Sequence, residues 1–234
     1  MPAAAVQQHR ERHAGALDVV RDVVLGMSDG LTVPFALAAG ITGALAASHI
    51  VVTAGVAELA AGGISMGLGG YLAARTSHEY YVNEMRREQD EVARIPREER
   101  REVEEIFEEY GLEGPMLTHV VDAITEKPER WIDFMMRFEL GLEKPIPGRD
   151  LLSALTIGGA YVVGGLVPLA PYMLIPQSHT AFQVSAAVTF VALVLFGIFK
   201  GRFTGIPPLR AAVQTVFIGG IAALVAFFLT RLVS

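Results

Sequence analysis

Asp29 and Glu58 each stand alone in long apolar sequence, one within 23–47 and the other within 50–74, and both stretches are otherwise free of charge. A helix needs about 20 apolar residues to cross the hydrocarbon of a bilayer, so each stretch is long enough to span. An acid inside a span costs several kcal/mol unless it faces a polar cavity or a cation, and it is therefore read as part of an ion or proton path. The competing reading for each acid is a structural hydrogen bond between helices.

Three further uncharged apolar runs follow, at 151–170, 181–199 and 211–230, which gives five spanning helices. The composition agrees: 52% hydrophobic residues and 24 glycines suit helices packed closely in lipid. A cleavable signal peptide is not expected, because a mixed-charge segment precedes the first apolar stretch and Asp29 interrupts it. Basic residues then orient the chain. Three precede the first span, 12 lie between Arg75 and Arg149, and three lie between Lys200 and Arg210, whereas Arg231 alone falls on the other side. The excess of positive charge on cytoplasmic loops places the N-terminus, the middle segment and the Lys200–Arg210 loop in the cytosol. The short connections at His49 and at Pro171–Thr180, and the C-terminus, then lie outside or in a lumen. With no cysteine, the chain has neither disulfides nor thiolate metal sites.

The fold expected is thus an all-α membrane protein: residues 1–74 carry the N-terminal segment and spans one and two, 75–149 form a helical cytosolic domain, and 150–234 carry spans three to five. The middle segment holds 19 acids against 12 bases. Within it, Ser77 to Ala93 continues the second span as a helix, Pro96 breaks it, and Arg97 to Tyr110 forms a second helix ended by Gly111. Pro115 to Glu126 and Glu129 to Gly141 make two more, and the Pro145–Gly148 stretch returns stiffly to the membrane. No Walker-type phosphate loop, nucleophile–base arrangement or paired-histidine zinc motif occurs, so the sequence supports neither ATP-driven pumping nor hydrolysis. The protein is read as a secondary transporter without a resident cofactor and without a nucleic-acid partner.

The acids of this segment are spaced for ligation. Glu88 and Glu91 lie three apart, Glu99 and Glu102 repeat that spacing, and Met135, Met136 and Glu139 fall three and four apart, so each set shares a helix face. Carboxylate oxygens with thioether sulfur form a mixed donor set that suits a first-row divalent metal better than Mg²⁺ or Ca²⁺. The plainer reading is a solvated face with arginines at four-residue spacing, Arg94 with Glu98 and Arg101 with Glu105, and with the methionines in the core beside Trp131 and Phe134.

Two long strings carry a resemblance. Asp22 to Gly40, DVVLGMSDGLTVPFALAAG, and Glu58 to Arg75, ELAAGGISMGLGGYLAAR, followed by Ser77-His-Glu-Tyr-Tyr, resemble the vacuolar iron transporter family. The resemblance implies a five-span homodimer in the vacuolar membrane that exchanges cytosolic Fe²⁺ for lumenal protons. It also implies a membrane path at Asp29, Glu58 and Met66, and cytosolic ligands at Glu88, Glu91, Glu99, Glu102, Met135, Met136 and Glu139. Nodulin-like relatives lack the cytosolic domain, which this chain has.

Physical arguments bear on the path independently. Pro34 cannot donate to the Gly30 carbonyl, so the first span should kink beside Asp29 and leave that oxygen free for water or metal. Glu58 and Met66, eight residues apart, lie about 80° apart around the helix and about 12 Å along it, as two steps of a path. Gly63, Gly67, Ala160 and Gly164 are read as packing positions. His49, His78, His119 and His179 are assigned no role. Deprotonated, Asp29 and Glu58 attract a divalent cation; protonated from an acidic lumen, they release it. Two other readings stay open: a broader divalent transporter, chiefly of Mn²⁺ with Co²⁺ and Zn²⁺ competing, and a membrane metal buffer that does not transport.

Overall fold

The computed structural model describes residues 3–43 and 47–233, with side chains over 17–43, 47–229 and at Leu232. The stretch 44–46 at the end of the expected first span lies outside the described residues, as do the side chains of Arg10, Arg12 and Arg231. Among the described residues eight helices run in order: α1 (Ala3–Gly43), α2 (Ser48–Arg94), α3 (Pro96–Glu109), α4 (Gly114–Thr125), α5 (Pro128–Phe138), α6 (Arg149–Leu174), α7 (Ser178–Thr204) and α8 (Pro208–Val233). Five of them are long and apolar enough to cross a membrane: Leu17–Gly43 of α1, then α2, α6, α7 and Pro208–Leu229 of α8. The chain is an all-α membrane protein with five candidate spans. By length, α2 at 47 residues measures about 70 Å, more than twice the thickness of the hydrocarbon core. Its polar C-terminal part therefore lies beyond the apolar stretch 50–74.

The chain divides into two compact units, one of Met1–Leu72 with Asp150–Ser234, the other of Ala73–Arg149. In the apolar unit, glycine lets α6 press against both α1 and α2. A Cβ at Gly158 would come within 2.7 Å of the Gly63 carbonyl oxygen, and Gly67 Cα lies on the same contact. On the other side, a Cβ at Gly164 would meet Met27 Sδ at 3.1 Å, and one at Gly26 would meet the Ile157 carbonyl and Ala160. The small residues read as packing positions pack in this way. A hairpin joins α7 to α8 through Gly205, whose φ of 70° is reached without strain only by glycine, and Gly197 lies against the Ala212 backbone. Leu31, Leu193 and Phe196 form a core of α1 and α7, and Ala38, Val51, Tyr172 and Ala181 form another near the opposite ends of their helices.

The connections are shorter than the sequence suggested. Helix α6 continues through Pro168 and Pro171 to Leu174, so residues 175–177 replace the expected Pro171–Thr180 connection. Pro168 and Pro171 leave the Gly164 and Val167 carbonyls without their helical donors, and Ser185 of α7 separately donates to the Pro168 carbonyl at 2.7 Å. Likewise α7 runs to Thr204 and α8 begins at Pro208, leaving residues 205–207 of the expected Lys200–Arg210 loop. Helix α1 begins well before its span, and it passes through Pro34 as one element.

In the polar unit, Pro96 starts α3 and Gly111, with φ 82°, ends it. Helix α5 stops at Phe138, before the Gly141 expected to close it, because Glu139 and Leu140 bond back to the Met135 carbonyl and Leu142 to that of Met136. Val103, Val121, Trp131, Phe134 and Met135 make a core to which Val92, Ile106 and Leu117 add. The unit is small, and burial of these residues is its main source of cohesion.

Candidate ion path and acidic cluster

Helices α1, α2 and α6 meet at Tyr161, which Glu58 and Met66 contact and Asp29 neighbours through adjacent Gly30. Tyr161 of α6 is 3% exposed, and its hydroxyl donates a hydrogen bond to Glu58 Oε1. Room for the ring comes from Gly62, one turn beyond Glu58, where a Cβ would lie 2.5 Å from the hydroxyl oxygen. Met66, the next turn, packs against the cluster of Leu59, Tyr161 and Leu169. Asp29 is half-buried on α1, and adjacent Gly30 lies against the Tyr161 backbone.

Glu58 is half-buried, and its second oxygen, Oε2, is buried with no hydrogen-bond partner. An unmet acceptor in an apolar span costs about 1–3 kcal/mol, more when charged. The environment of Asp29 differs from expectation in one respect. The Gly30 carbonyl that Pro34 leaves without its helical donor faces Gly165, where a Cβ would approach it within 3.2 Å. Close helix packing, in place of an open polar site, meets that carbonyl.

The motifs of the sequence do not point to Tyr161. A signal existed: among the apolar residues of the third span it is a hydroxyl-bearing aromatic, and buried tyrosines find a partner for that hydroxyl.

The second set lies in the polar unit. Glu88 and Glu91 come from α2, Glu99 and Glu102 from α3, and Glu139 from the end of α5, where its backbone N–H bonds to the Met135 carbonyl at 3.0 Å. The five acids feel one another. Burial, then Glu102, Glu88, Glu91 and Glu139, push Glu99 up to about 7, against an ordinary 4.5. Glu139 is also pushed up to about 7 by loss of solvation and by Glu88, Glu102 and Glu91, with Arg87 opposing. Because Glu139 is an exposed residue, solvent screens its shift more than that of Glu99. Glu88 is raised by burial and Glu91, again against Arg87.

Glu88 and Glu99 are 1% and 3% exposed, and each keeps one buried oxygen, Oε2, without a hydrogen-bond partner. Among the described residues no three His, Cys, Asp or Glu side chains yet converge tightly enough to enclose an ion. Of the two methionines, Met135 belongs to the apolar core with Val103 and Phe134, whereas Met136, also buried, stands outside that cluster. The alternative pairing is realised in part: Arg101 meets Glu105 at 3.0 Å, but Arg94 and Glu98 fall on either side of the break at Ile95, where four-residue helical spacing does not apply.

Fold and site together define a multi-span α-helical membrane protein that carries acids both within its spans and in a separate polar unit. A family profile described as the VIT family matches residues 20–231. Over 228 residues the chain is 55% identical to "Vacuolar iron transporter 1" of Arabidopsis thaliana, covering 97% of this chain and 91% of that protein. It is 56% identical over 225 residues to "Vacuolar iron transporter 1" of Oryza sativa subsp. japonica, covering 96% and 89%. To "Protein CCC1" of Saccharomyces cerevisiae it is 38% identical over 222 residues, covering 92% and 69%. The chain belongs to the VIT family.

Proposed function

We propose that this protein moves Fe²⁺ from the cytosol into the vacuole in exchange for protons. Metal is captured by Glu88, Glu91, Glu99, Glu102 and Glu139, with thioether sulfur from Met135 and Met136, and then passes Asp29, Glu58 and Met66. The names of the relatives support iron as cargo. The observation that carries the reading is Glu58 Oε2, a buried carboxylate oxygen in a span with no partner in the protein. A deprotonated Glu58 attracts a divalent ion arriving from the cytosolic side, and a proton from an acidic lumen removes the attraction and releases the ion. Tyr161 acts as a positioning residue, holding Oε1 and leaving Oε2 to the cargo.

In this reading the N-terminus and residues 75–149 are cytosolic, the C-terminus is lumenal, and the protein works as a homodimer. The acidic unit raises the local cation concentration at the mouth. Carboxylate and thioether donors do not separate Fe²⁺ from Mn²⁺ by geometry, so Mn²⁺ is the second cargo and Co²⁺ and Zn²⁺ are competitors.

The test is anaerobic Fe²⁺ entry into proteoliposomes with an acidic or pH-matched lumen and a lumenal pH dye. Antiport gives uptake that needs the gradient and alkalinises the lumen, and Asp29→Ala abolishes it without loss of fold. Binding without uptake would support a metal buffer, and retained flux in Asp29→Ala would remove that acid from the path.

A further inference from the structure

We infer that Arg87 is the resident counter-cation of the acidic cluster: an arriving divalent metal displaces it onto Glu84, so Arg87 sets how tightly the cluster holds metal. This rests on reading the five glutamates as the capture site.

Arg87 lies on α2 between the residues it serves. Its Nη1 is 2.9 Å from Glu84 Oε2, its Nε 3.3 Å from Glu91 Oε2 and its Nη2 3.5 Å from Glu88 Oε1. Its positive charge opposes the surrounding acids at Glu88 and, from another element, at Glu139. Three other arginines of this unit are engaged with other acids: Arg100 with Glu104 and Asp122, Arg101 with Glu105, and Arg137 with Asp133. Arg87 thus contacts two of the five acids directly and offsets their mutual repulsion when no metal is present.

Two features make it displaceable. Its side chain is 50% exposed, so the guanidinium reaches water without desolvation. Its shortest contact is to Glu84, a residue outside the five, whose side chain is 14% exposed. A divalent ion bound by Glu88 and Glu91 repels a guanidinium on the same oxygens, and the side chain keeps Glu84 when it lets the other two go.

The test is Mn²⁺ binding to the purified full-length protein, read from the electron paramagnetic resonance signal of free Mn²⁺ at fixed pH and low salt. Arg87→Gln removes the competitor and should tighten binding about tenfold. Arg86→Gln removes an equal charge from the adjacent exposed position and should change affinity less than about twofold, since general field effects are screened. Glu84→Gln, which frees Arg87 to stay on Glu88 and Glu91, should weaken binding a few-fold, and it tests the idea even if Arg87→Gln does not fold. Unchanged or weaker binding in Arg87→Gln, equal tightening in Arg86→Gln, or tighter binding in Glu84→Gln would each overturn the inference. Glu99→Gln serves as the control: if it leaves Mn²⁺ binding intact, the capture-site reading fails and this inference with it. Weakened binding there with no tightening in Arg87→Gln defeats the inference alone.

Discussion

Tyr161 and Glu58 should be energetically coupled, and the coupling can be sized from their surroundings. A hydrogen bond to a charged group contributes about 1.5–3 kcal/mol in soluble proteins, whereas bonds between spanning helices average about 0.6 and reach about 1.7 kcal/mol. Glu58 Oε2 already lacks a partner, so Tyr161→Phe removes the one remaining contact and leaves neither oxygen satisfied, and the packing of the ring against Gly62 leaves little room for a substitute donor. We therefore expect about 1.5 kcal/mol, near the upper end of the membrane range. A double-mutant cycle of Tyr161→Phe, Glu58→Ala and the pair, measured by denaturant unfolding in mixed micelles, isolates that term. Tyr161→Phe should also slow Fe²⁺ flux several-fold while leaving Mn²⁺ binding at the polar unit unchanged, because the ring and its packing survive. A coupling below about 0.3 kcal/mol, the additivity expected of independent sites, would refute the pairing. Unchanged flux would refute the positioning role.

Glycine substitutions should split by contact. Gly158→Ala meets the Gly63 carbonyl at 2.7 Å and should cost at least about 1–3 kcal/mol, whereas Gly69→Ala, with nothing within 4 Å, should be neutral or stabilise α2 by up to about 1 kcal/mol; thermal unfolding in micelles separates the two. The metal-free polar unit should lose stability as pH rises. Glu99 binds its proton more tightly folded, at about 7, than unfolded, so its contribution is fully present below about 4.5 and is lost through 7. Between pH 5 and 8 the loss should be about 2 kcal/mol after screening, Mn²⁺ should restore it, and Glu99→Gln should flatten the profile of hydrogen exchange in α3.

The spans and the breaks between helices were legible because one physical term dominates each. Lipid selects uninterrupted apolar length, as at 181–199, and Pro96 and Gly111 fix the ends of α3 whatever surrounds them. The sharing of a helix face by Glu88 with Glu91 and by Glu99 with Glu102 was readable, since three-residue spacing survives folding. Tertiary contacts set the rest. Helix α6 runs past Pro168 and Pro171, and Ser185 from another helix donates to the Pro168 carbonyl, a contact that no local rule carries. The Gly30 carbonyl meets Gly165 instead of an open polar site for the same reason. Tyr161 acquires meaning only through a partner 103 residues away in sequence.

Glu58, Glu88 and Glu99 each leave a buried oxygen without a donor, in two separate parts of the chain. A fold shaped for stability alone would pair or replace such groups, because each costs about 1–3 kcal/mol and isosteric apolar replacement is often neutral or better. Their retention makes sense if the missing partner is the cargo. A carboxylate fully satisfied by the protein would give a divalent ion nothing in exchange for its hydration shell, and one left wholly bare would hold the ion too firmly to pass it on. In the polar unit Arg87 moderates the acids from beside them; in the span Tyr161 takes one oxygen of Glu58 and leaves the other. Both arrangements leave an acid half-satisfied, which suits a site that must first attract a cation and then let it leave. Glu58→Gln and Glu99→Gln should accordingly raise metal-free stability while lowering flux and Mn²⁺ affinity respectively, and a loss of stability in both would show that these oxygens are structural.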